Sequence, residues 1–244
     1  MNNLKTQKTA KLNPAISKGN NPIFWVQAPI LEVNWRKKGK VSPVRPTQGP
    51  CGSCWAFAAV AAIESAQRIR YNWSWDLSEQ QLVDCTYSSS YNGCKGGWMH
   101  RAYNYVIASG GIHKESRYPY ISGKTRKSGT CRDKKTGFKL KIKSYSGSKM
   151  YNCSSMKYKI QSGPGSAVVC VSMDFREYKS GIFNDYCGCT GKNLHAVLIY
   201  GYSRSGTWYI KNSWGKRWGW GGLMLMKGGN TCNICKYGAE VVKI

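Results

Sequence analysis

Acidic side chains are scarce in this chain of 244 residues. Only 11 aspartates and glutamates stand against 37 lysines and arginines, which gives a formal net charge of +26. A field of this size attracts acidic partners. We interpret the densest basic run, from Lys124 to Lys143, either as a solvated loop or as a surface for glycosaminoglycan-like polyanions. The groove-reading motifs of dedicated nucleic-acid-binding proteins are missing, so that class is disfavoured.

Long apolar runs are also missing. No stretch approaches the roughly 18 consecutive apolar residues of a transmembrane helix, so we expect no membrane span. Residues 1–27 are polar and basic and contain no apolar core of a signal peptide. We interpret them as an N-terminal extension or linker outside the core. The structured domain is expected to occupy residues 28–244.

Histidine is rare, and the chain contains only three of them. His100 lies in a predicted helix and His113 follows a pair of glycines, so both are interpreted as structural or exposed. His195 is followed by the apolar run Ala-Val-Leu-Ile-Tyr-Gly, which predicts a buried strand. His195 is therefore the strongest candidate for a functional imidazole.

Cysteine, by contrast, is abundant. Eleven cysteines spread along the chain predict an oxidised protein held by disulfides, and the odd count leaves one thiol free. Two Asn-x-Ser sequons, at Asn72 and Asn152, agree with a secretory route and with glycosylation. The cysteine content favours a secreted, lysosomal or endosomal location.

One of these cysteines lies in the stretch Gln-Gly-Pro-Cys-Gly-Ser-Cys-Trp-Ala-Phe, residues 48–57, which continues into an Ala-rich run. The pattern predicts a turn that opens a buried helix, with Ser53 as its N-cap. Cys54 then lies in the first turn, where the helix dipole favours a thiolate and lowers the pKa. Taken alone, however, Cys51-x-x-Cys54 also fits a redox pair, half of a metal site or an inert buried cysteine.

The two halves of the chain differ in periodicity. The first half predicts helices from Cys54 to about Arg70, over residues 78–85 with a capping box of Ser78 and Gln81, and over about 99–108. The second half predicts a short helix over residues 155–160 and several strands. The strands are expected at residues 167–173, 195–201, 208–211, 223–226 and 239–243. This order predicts an α+β fold with two lobes.

His195 lies some 140 residues after Cys54, and Asn212 follows seventeen residues later, which is the spacing of papain-type cysteine proteases. Five separated motifs occur in that family's order: Gln48 with Cys54-Trp55-Ala56-Phe57; Leu77-Ser78-Glu79-Gln80 with Leu82-Val83-Asp84-Cys85; Gly93-Cys94-Lys95-Gly96-Gly97; His195-Ala196-Val197; and Asn212-Ser213-Trp214-Gly215. From about residue 28 to its C-terminus, the chain resembles the papain family, in particular its cathepsin L-like members.

The resemblance implies a papain-like two-lobe fold. It places a mainly helical left lobe at about residues 38–146 and a mainly β, barrel-like right lobe at about residues 147–244. The active-site cleft is expected between the lobes, and the resemblance makes residues 1–27 at most a propeptide remnant, too short to fold over that cleft. Glu64 is implied to be a buried structural carboxylate where the lobes meet.

The resemblance also implies roles for individual residues. Cys54 is the nucleophile and His195 its partner, while Asn212 orients the imidazole and Trp214 shields that hydrogen bond from water. Gln48, together with the backbone N–H of Cys54, forms an oxyanion hole. No metal or cofactor is required for this chemistry.

For the substrate, the resemblance implies an extended peptide whose backbone pairs with Gly96 and Gly97. The pocket for the second residue before the scissile bond is expected to be lined by Trp98, Met99, Val168, Leu194, Ala196 and Tyr237. None of these side chains is charged, so we expect a preference for hydrophobic or aromatic residues. For Val168 and Ala196, ordinary core packing explains the residue equally well. Leu194 stands where relatives often have Asp or Asn.

The family pattern pairs Cys51 with Cys94, Cys85 with Cys131, and either Cys187 or Cys189 with Cys232. The grouping of Cys187 and Cys189 with Cys232 and Cys235 also fits a tetrahedral zinc site, but two disulfides are favoured in an oxidised protein. Cys153 and Cys170 have no counterpart in the pattern and could supply a fifth bridge.

We therefore expect a monomeric cysteine endopeptidase that cleaves proteins or peptides through a Cys-His-Asn site and a thioester acyl-enzyme. One alternative is a catalytically silent relative that uses the scaffold and its basic surface to bind polyanions. A second alternative is a thiol–disulfide oxidoreductase at Cys51 and Cys54, which a bridge from Cys51 to Cys94 would exclude.

Overall fold

The computed structural model describes residues 31–86, 93–133 and 137–244. The predicted N-terminal extension, residues 1–27, lies outside the described residues, as do Lys134 and Lys135 of the basic run. Within the described ranges, no helix combines the length and the apolar character needed to cross a membrane.

Helices and strands alternate along the chain, with the longest helix near the start and most strands in the second half. The helices are α1 (Cys54–Tyr71), α2 (Glu79–Cys85), α3 (Met99–Ala108), α4 (Ser122–Thr125), α5 (Cys153–Ile160) and α6 (Met173–Glu177). The strands are β1 (Val33–Asn34), β2 (Ser144–Gly147), β3 (Gly165–Cys170), β4 (Ile182–Phe183), β5 (Leu194–Tyr202), β6 (Trp208–Lys211), β7 (Leu223–Met226) and β8 (Ala239–Lys243).

Helix α1 is apolar on every side, and such a helix is stable only inside a protein. All residues from Trp55 to Gln67 are buried, and the helix ends at Asn72 in the left-handed conformation with φ of 64°. Ser53 occupies the predicted N-cap position, but its hydroxyl makes no capping bond. It lies instead 2.7 Å from the hydroxyl of Tyr120.

The predicted capping box of helix α2 is only half formed. The Ser78 hydroxyl accepts a hydrogen bond from the Gln81 backbone N–H at 3.0 Å. The Gln81 side chain does not return to the helix start, because its oxygen accepts from the His113 backbone N–H at 2.7 Å. A tertiary contact has replaced the local one.

The strands form one mixed sheet in the order β2-β8-β3-β5-β6-β7-β4, and β1 pairs with β5 outside this path. Only β4 and β7 run parallel to each other among the pairs within the described ranges. Strands β2 and β4 stay at the two ends, so the sheet is not closed into a barrel. Helices packed on an open, mixed sheet confirm the α+β class.

The antiparallel register of β3 and β5 places Val168 opposite Ala196 and Val169 opposite His195. Because side chains alternate along a strand, neighbouring residues face different cores. Val168 and Ala196 pack in the core that contains α1, whereas Val169 packs in a second core with Phe175 of α6. The sheet thus separates two hydrophobic cores. The predicted lobe boundary near residue 146 stays a prediction.

Strand β3 ends earlier than predicted. Residues 167–173 were expected to be extended, but the strand stops at Cys170 and helix α6 starts at Met173. The Ser172 hydroxyl accepts from the Phe175 N–H at 3.1 Å and caps this short helix. The cap interrupts an apolar run whose alternation alone predicts a continuous strand.

Ten cysteines form five disulfides and Cys54 is free. The bridges are Cys51–Cys94, Cys85–Cys131, Cys153–Cys235, Cys170–Cys189 and Cys187–Cys232.

The pairing in the second half of the chain corrects the sequence prediction. Cys232 does bond to Cys187, one of its two predicted partners, but Cys153 bonds to Cys235 and Cys170 bonds to Cys189. Cys187, Cys189, Cys232 and Cys235 were expected to form two disulfides among themselves, and that expectation is wrong. Helix α5 and strand β3 present Cys153 and Cys170 to them, a proximity that sequence spacing does not reveal. With these sulfurs in disulfides, the zinc alternative is excluded.

Candidate active site

Cys54 is the first residue of helix α1, and its approach loop is fixed on both sides. The Cys51–Cys94 disulfide anchors the loop, and the Gly52 N–H donates to the Cys94 carbonyl at 2.7 Å. Farther along the same segment, a Cβ at Gly97 would come within 2.5 Å of the Trp55 ring, so only glycine fits there. Residues 94–97 therefore run close beside the start of α1.

His195 is supplied by the beginning of strand β5, on the opposite side of the site. Its ring is buried, and Nε2 donates to Oδ1 of Asn212 at 2.7 Å. Because this bond occupies Nε2, Nδ1 is the nitrogen left for another partner. The Trp214 ring lies 4.6 Å from the imidazole, centroid to centroid, and Phe175 lies 6.4 Å away.

Hydrogen bonds to both the backbone and the side chain of Asn212 fix its position. Its N–H donates to the Gly222 carbonyl at 3.0 Å, and its Oδ1 also accepts from the Ser213 N–H at 2.8 Å. Its Nδ2 is buried and has no hydrogen-bond partner within the described part of the chain. The hydrogen bonds from His195 and Ser213 therefore fix the amide oxygen of Asn212, not its nitrogen.

The two sides of the site meet at Cys54. The backbone N–H of Ala196, the residue next to His195, lies close enough to the thiol to favour its charged form. Helix α1 and strand β5 are parts of one hydrophobic core, which fixes this approach. The structure thus brings the sulfur to the start of the strand that carries the imidazole.

Burial opposes a charge on either group. It raises the pKa of the Cys54 thiol, although backbone N–H groups of Ala196, Trp55 and Cys54 partly offset the effect. It also lowers the pKa of His195 to about 4, with the Asn212 bond acting against this and the Arg176 charge acting with it. The backbone N–H groups at the helix start therefore do not by themselves offset the desolvation of the Cys54 thiol, and the predicted ionised sulfur depends on the imidazole as well.

Gln48 lies three residues before Cys51 and is buried. Its Nε2 donates to the Cys51 carbonyl at 2.9 Å, and its Oε1 accepts from the Ser213 hydroxyl at 2.6 Å. Its backbone is held as well, because its carbonyl accepts from the Tyr120 hydroxyl at 2.7 Å. One of the two amide hydrogens on Nε2 remains available for a further acceptor.

The residues expected to hold substrate fall in one neighbourhood. Trp98 contacts Tyr237 with 5.4 Å between ring centroids, and Gly96 adopts a positive φ of 117° that glycine tolerates. The remaining side chains of the predicted pocket belong to the same hydrophobic cluster as Trp98 and Tyr237. They are Met99, Val168 and Ala196, which are buried, and Leu194, which is partly buried.

Next to the candidate site lies a buried ionic cluster that sequence analysis found only in part. Glu64, predicted as a buried carboxylate, is bonded by Arg45 and also accepts from the Leu77 N–H at 3.0 Å. Arg45 also pairs with Glu79 at 3.9 Å and with the exposed Asp76. No pattern in the sequence singles out Arg45, because its partners are up to 34 positions away.

Lys211 completes this ionic cluster from strand β6. Its Nζ donates at 2.9 Å to both the carbonyl and the hydroxyl of Ser42. Burial lowers the pKa of Lys211 to about 8, while the charge of Glu64 acts in the opposite direction. Lys211 also precedes Asn212, so the ionic cluster and the candidate site share a wall of one small cavity.

Residues 31–242 match the model of the family described as papain family cysteine protease. Fruit bromelain from Ananas comosus is 37% identical over 86% of the chain and 59% of its own length. Cathepsin L 1 from Paramecium tetraurelia is 39% identical over 95% of the chain and 68% of its own length.

A solved cysteine protease of Carica candamarcensis, in complex with E-64, superposes with a TM-score of 0.77 at 35% identity. The match covers 87% of this chain and 97% of that one. The sequence matches extend over both sides of the site, and the structural likeness covers most of the fold that holds it. The chain belongs to the papain family of cysteine proteases.

Proposed function

We propose that this chain is a cysteine endopeptidase in which Cys54 is the nucleophile and His195 the general acid and base. One observation carries the proposal: Cys54, the free cysteine, begins the helix that packs against strand β5, and the His195 that this strand supplies has Nε2 fixed 2.7 Å from Oδ1 of Asn212. This geometry leaves Nδ1 of His195 as the nitrogen for the thiol proton.

The reactive state is an ion pair. Burial disfavours an isolated thiolate and an isolated imidazolium, but proton transfer from Cys54 to His195 creates both charges together and leaves the net charge unchanged. Their mutual attraction in a site of low polarity then offsets the two desolvation costs. The imidazole, rather than the helix start alone, makes the sulfur nucleophilic.

The reaction follows from this state. The thiolate sulfur bonds to the scissile carbonyl carbon, and the carbonyl π electrons move to oxygen. As the carbonyl re-forms, the C–N bond breaks and the leaving nitrogen takes the proton from His195. Water then attacks the thioester while His195 removes its proton, and the C–S bond breaks to release the acid and restore the thiolate.

Gln48 and the backbone N–H of Cys54 stabilise the oxyanion in both steps. The two bonds that hold the Gln48 amide support this role, since a donor fixed beforehand needs no reorganisation as charge develops. Trp214 covers the His195–Asn212 bond and keeps water from competing for it.

Substrate binds extended, with its backbone on Gly96 and Gly97. The second residue before the scissile bond enters the pocket formed by Trp98 and Tyr237 with Met99, Val168, Leu194 and Ala196, and a hydrophobic or aromatic side chain is preferred there. The uncharged character of these residues and their packing in one cluster support this preference. A measured preference for arginine as the second residue before the scissile bond would contradict this expectation.

Polyanions are a second class of partner, and the +26 charge supports them. The lysines of the basic run, residues 124–143, are not equally available to bind a polyanion. Lys124 is exposed, whereas Lys139 is largely buried and bonded to Asp133 at 2.6 Å. Heparin affinity that falls steeply with salt supports this binding, and a flat salt response contradicts it.

We also propose that the enzyme is a monomer and acts in a secreted, lysosomal or endosomal setting, which five disulfides favour. The oxidoreductase alternative loses its basis, because Cys51 is bonded to Cys94 and leaves Cys54 without a redox partner. A silent scaffold has no need for Gln48, Cys54, His195 and Asn212 together.

The test is covalent labelling with E-64, the inhibitor bound in the Carica neighbour. Wild-type protein is expected to bind one equivalent of E-64 at Cys54. The Cys54→Ala variant should bind none, and the His195→Ala variant should bind one equivalent only very slowly. Intact mass and peptide mapping identify the adduct, and a fluorogenic peptide reports turnover. Labelling elsewhere, or labelling without turnover, would contradict the proposal.

A further inference from the structure

Three cationic side chains line an open groove beside the candidate site. Lys95, Arg126 and Lys127 are exposed at this groove, which encloses about 780 Å³. Its other walls include the Cys85–Cys131 disulfide and the backbone of residues 128–130. None of the three cations forms an ion pair with an acidic group among the described residues.

The acidic residue that lines this groove, Asp84, already accepts hydrogen bonds from neighbouring groups. Asp84 is 4% exposed, and its Oδ1 accepts from Gln80 Nε2 at 2.7 Å and from the Gly129 N–H at 2.6 Å. Its Oδ2 accepts from the Tyr118 hydroxyl at 2.9 Å. These bonds hold the carboxylate inward, so the lysine and arginine charges face solvent without a local counter-ion. The groove is therefore complementary to anions.

The groove adjoins the segment that is proposed to bind the substrate backbone. Cys94 lines it and is also the disulfide partner of Cys51, while the Gly52 N–H donates to the Cys94 carbonyl. Lys95 directly precedes Gly96, where the substrate backbone is proposed to pair. A side chain that leaves the cleft on this side meets Lys95 first.

The alternation of an extended peptide decides which substrate residues point that way. Successive side chains project to opposite sides. If the second residue before the scissile bond enters the pocket beside Trp98, the first and third residues project to the other side, toward Cys94 and Lys95.

We infer that Lys95, Arg126 and Lys127 bind carboxylates of substrate and select acidic residues at the first and third positions before the scissile bond. This inference rests on the proposed peptidase function. Part of the large positive charge of the protein would then determine substrate specificity, and acidic segments of proteins would be the favoured substrates.

Two quenched peptides test the inference. They share a hydrophobic second residue and differ only in Glu or Gln at the first and third positions. We expect kcat/KM to be about three- to tenfold higher for the Glu peptide at low salt, since one exposed ion pair contributes at most about fivefold. The ratio should fall as salt screens the charges.

The variants locate the effect. Lys95→Gln should bring the Glu/Gln ratio close to one, and Arg126→Gln with Lys127→Gln should lower it partly. Lys227→Gln, an equal loss of charge at an exposed position on the far end of β7, should preserve the ratio. Unchanged melting temperatures show that the variants are folded.

The outcomes separate the two proposals. A ratio near one in wild type, or an equal fall in Lys95→Gln and Lys227→Gln, overturns the groove while hydrolysis of the Gln peptide still supports the peptidase. Failure of wild type to cleave either peptide overturns the peptidase and the groove together.

Discussion

Two buried polar clusters lie side by side between helix α1 and the sheet, and they handle charge in opposite ways. In the ionic cluster, the permanent charge of Arg45 is paired with Glu64 and, at 3.9 Å, with Glu79, whose pKa burial raises and Arg45 lowers, and Lys211 lies alongside. In the thiol–imidazole cluster of Cys54, His195 and Asn212, burial favours the neutral form of both titratable groups. The two clusters share one cavity wall at Lys211 and Asn212.

The difference shows what each cluster is suited for. The ionic cluster ties the loop that carries Arg45 to helices α1 and α2, and removing the cation leaves buried carboxylates without a partner. A pair of neutral groups has no such penalty until a proton moves between them. The second arrangement can change its charge distribution during a reaction, and the first cannot do so without destabilising the fold.

Breaking the ionic cluster should have the largest effect. Arg45→Met leaves Glu64 and Glu79 buried without their cation, and we expect it to destabilise the protein by about 3–5 kcal/mol. Urea unfolding measures this loss. The control is the double variant Arg45→Met/Glu64→Gln, which removes one orphaned charge and should recover part of the stability. A single variant as stable as wild type would contradict the structural role of the cluster.

Removing a neutral donor beside the thiol–imidazole cluster should cost less stability than Arg45→Met and should mainly reduce the rate. Gln48→Ala deletes one oxyanion donor, and we expect kcat to fall by about 10²–10³ with little change in KM. Steady-state kinetics on a fluorogenic peptide measure this split. A rise in KM at constant kcat would mean that Gln48 binds the ground state instead.

The smallest expected change is a shift of the pH profile. Arg176 is exposed, and its charge disfavours the doubly protonated state of the Cys54–His195 pair, which carries the extra positive charge. Arg176→Gln should therefore move the acid limb of kcat/KM to higher pH, by less than about one pH unit. Lys179→Gln, an exposed charge three residues away, serves as the control. An unchanged limb, or an equal shift in both variants, would contradict this electrostatic effect.

Sequence patterns predicted the parts of this protein that depend on local order. The apolar run after Cys54 predicts α1, and short apolar runs predict β6, β7 and β8 with the bounds that the structure has. The motifs around Cys54, His195 and Asn212 predict the family, which the comparisons confirm. These signals survive because each is contained in a few consecutive residues.

Features that depend on distant residues were missed or mistaken. Ser53 bonds Tyr120 instead of capping its own helix, and Cys170 pairs with Cys189 because the last residue of β3 lies opposite the first residue of β5, where the loop that carries Cys189 ends. The direction of the Cys54 pKa shift also depends on what buries the thiol, which spacing along the chain does not show. Tertiary packing decides each of these outcomes.

The rate of Cys54 alkylation by iodoacetamide as a function of pH tests the central claim most directly, because only the thiolate reacts. If His195 holds the sulfur ionised, wild-type protein should react at a nearly constant rate from about pH 5 upward. His195→Ala should react slowly at neutral pH, with one rise near or above the ordinary thiol pKa, because burial raises it. Identical single rises near pH 9 in both proteins would contradict the ion pair.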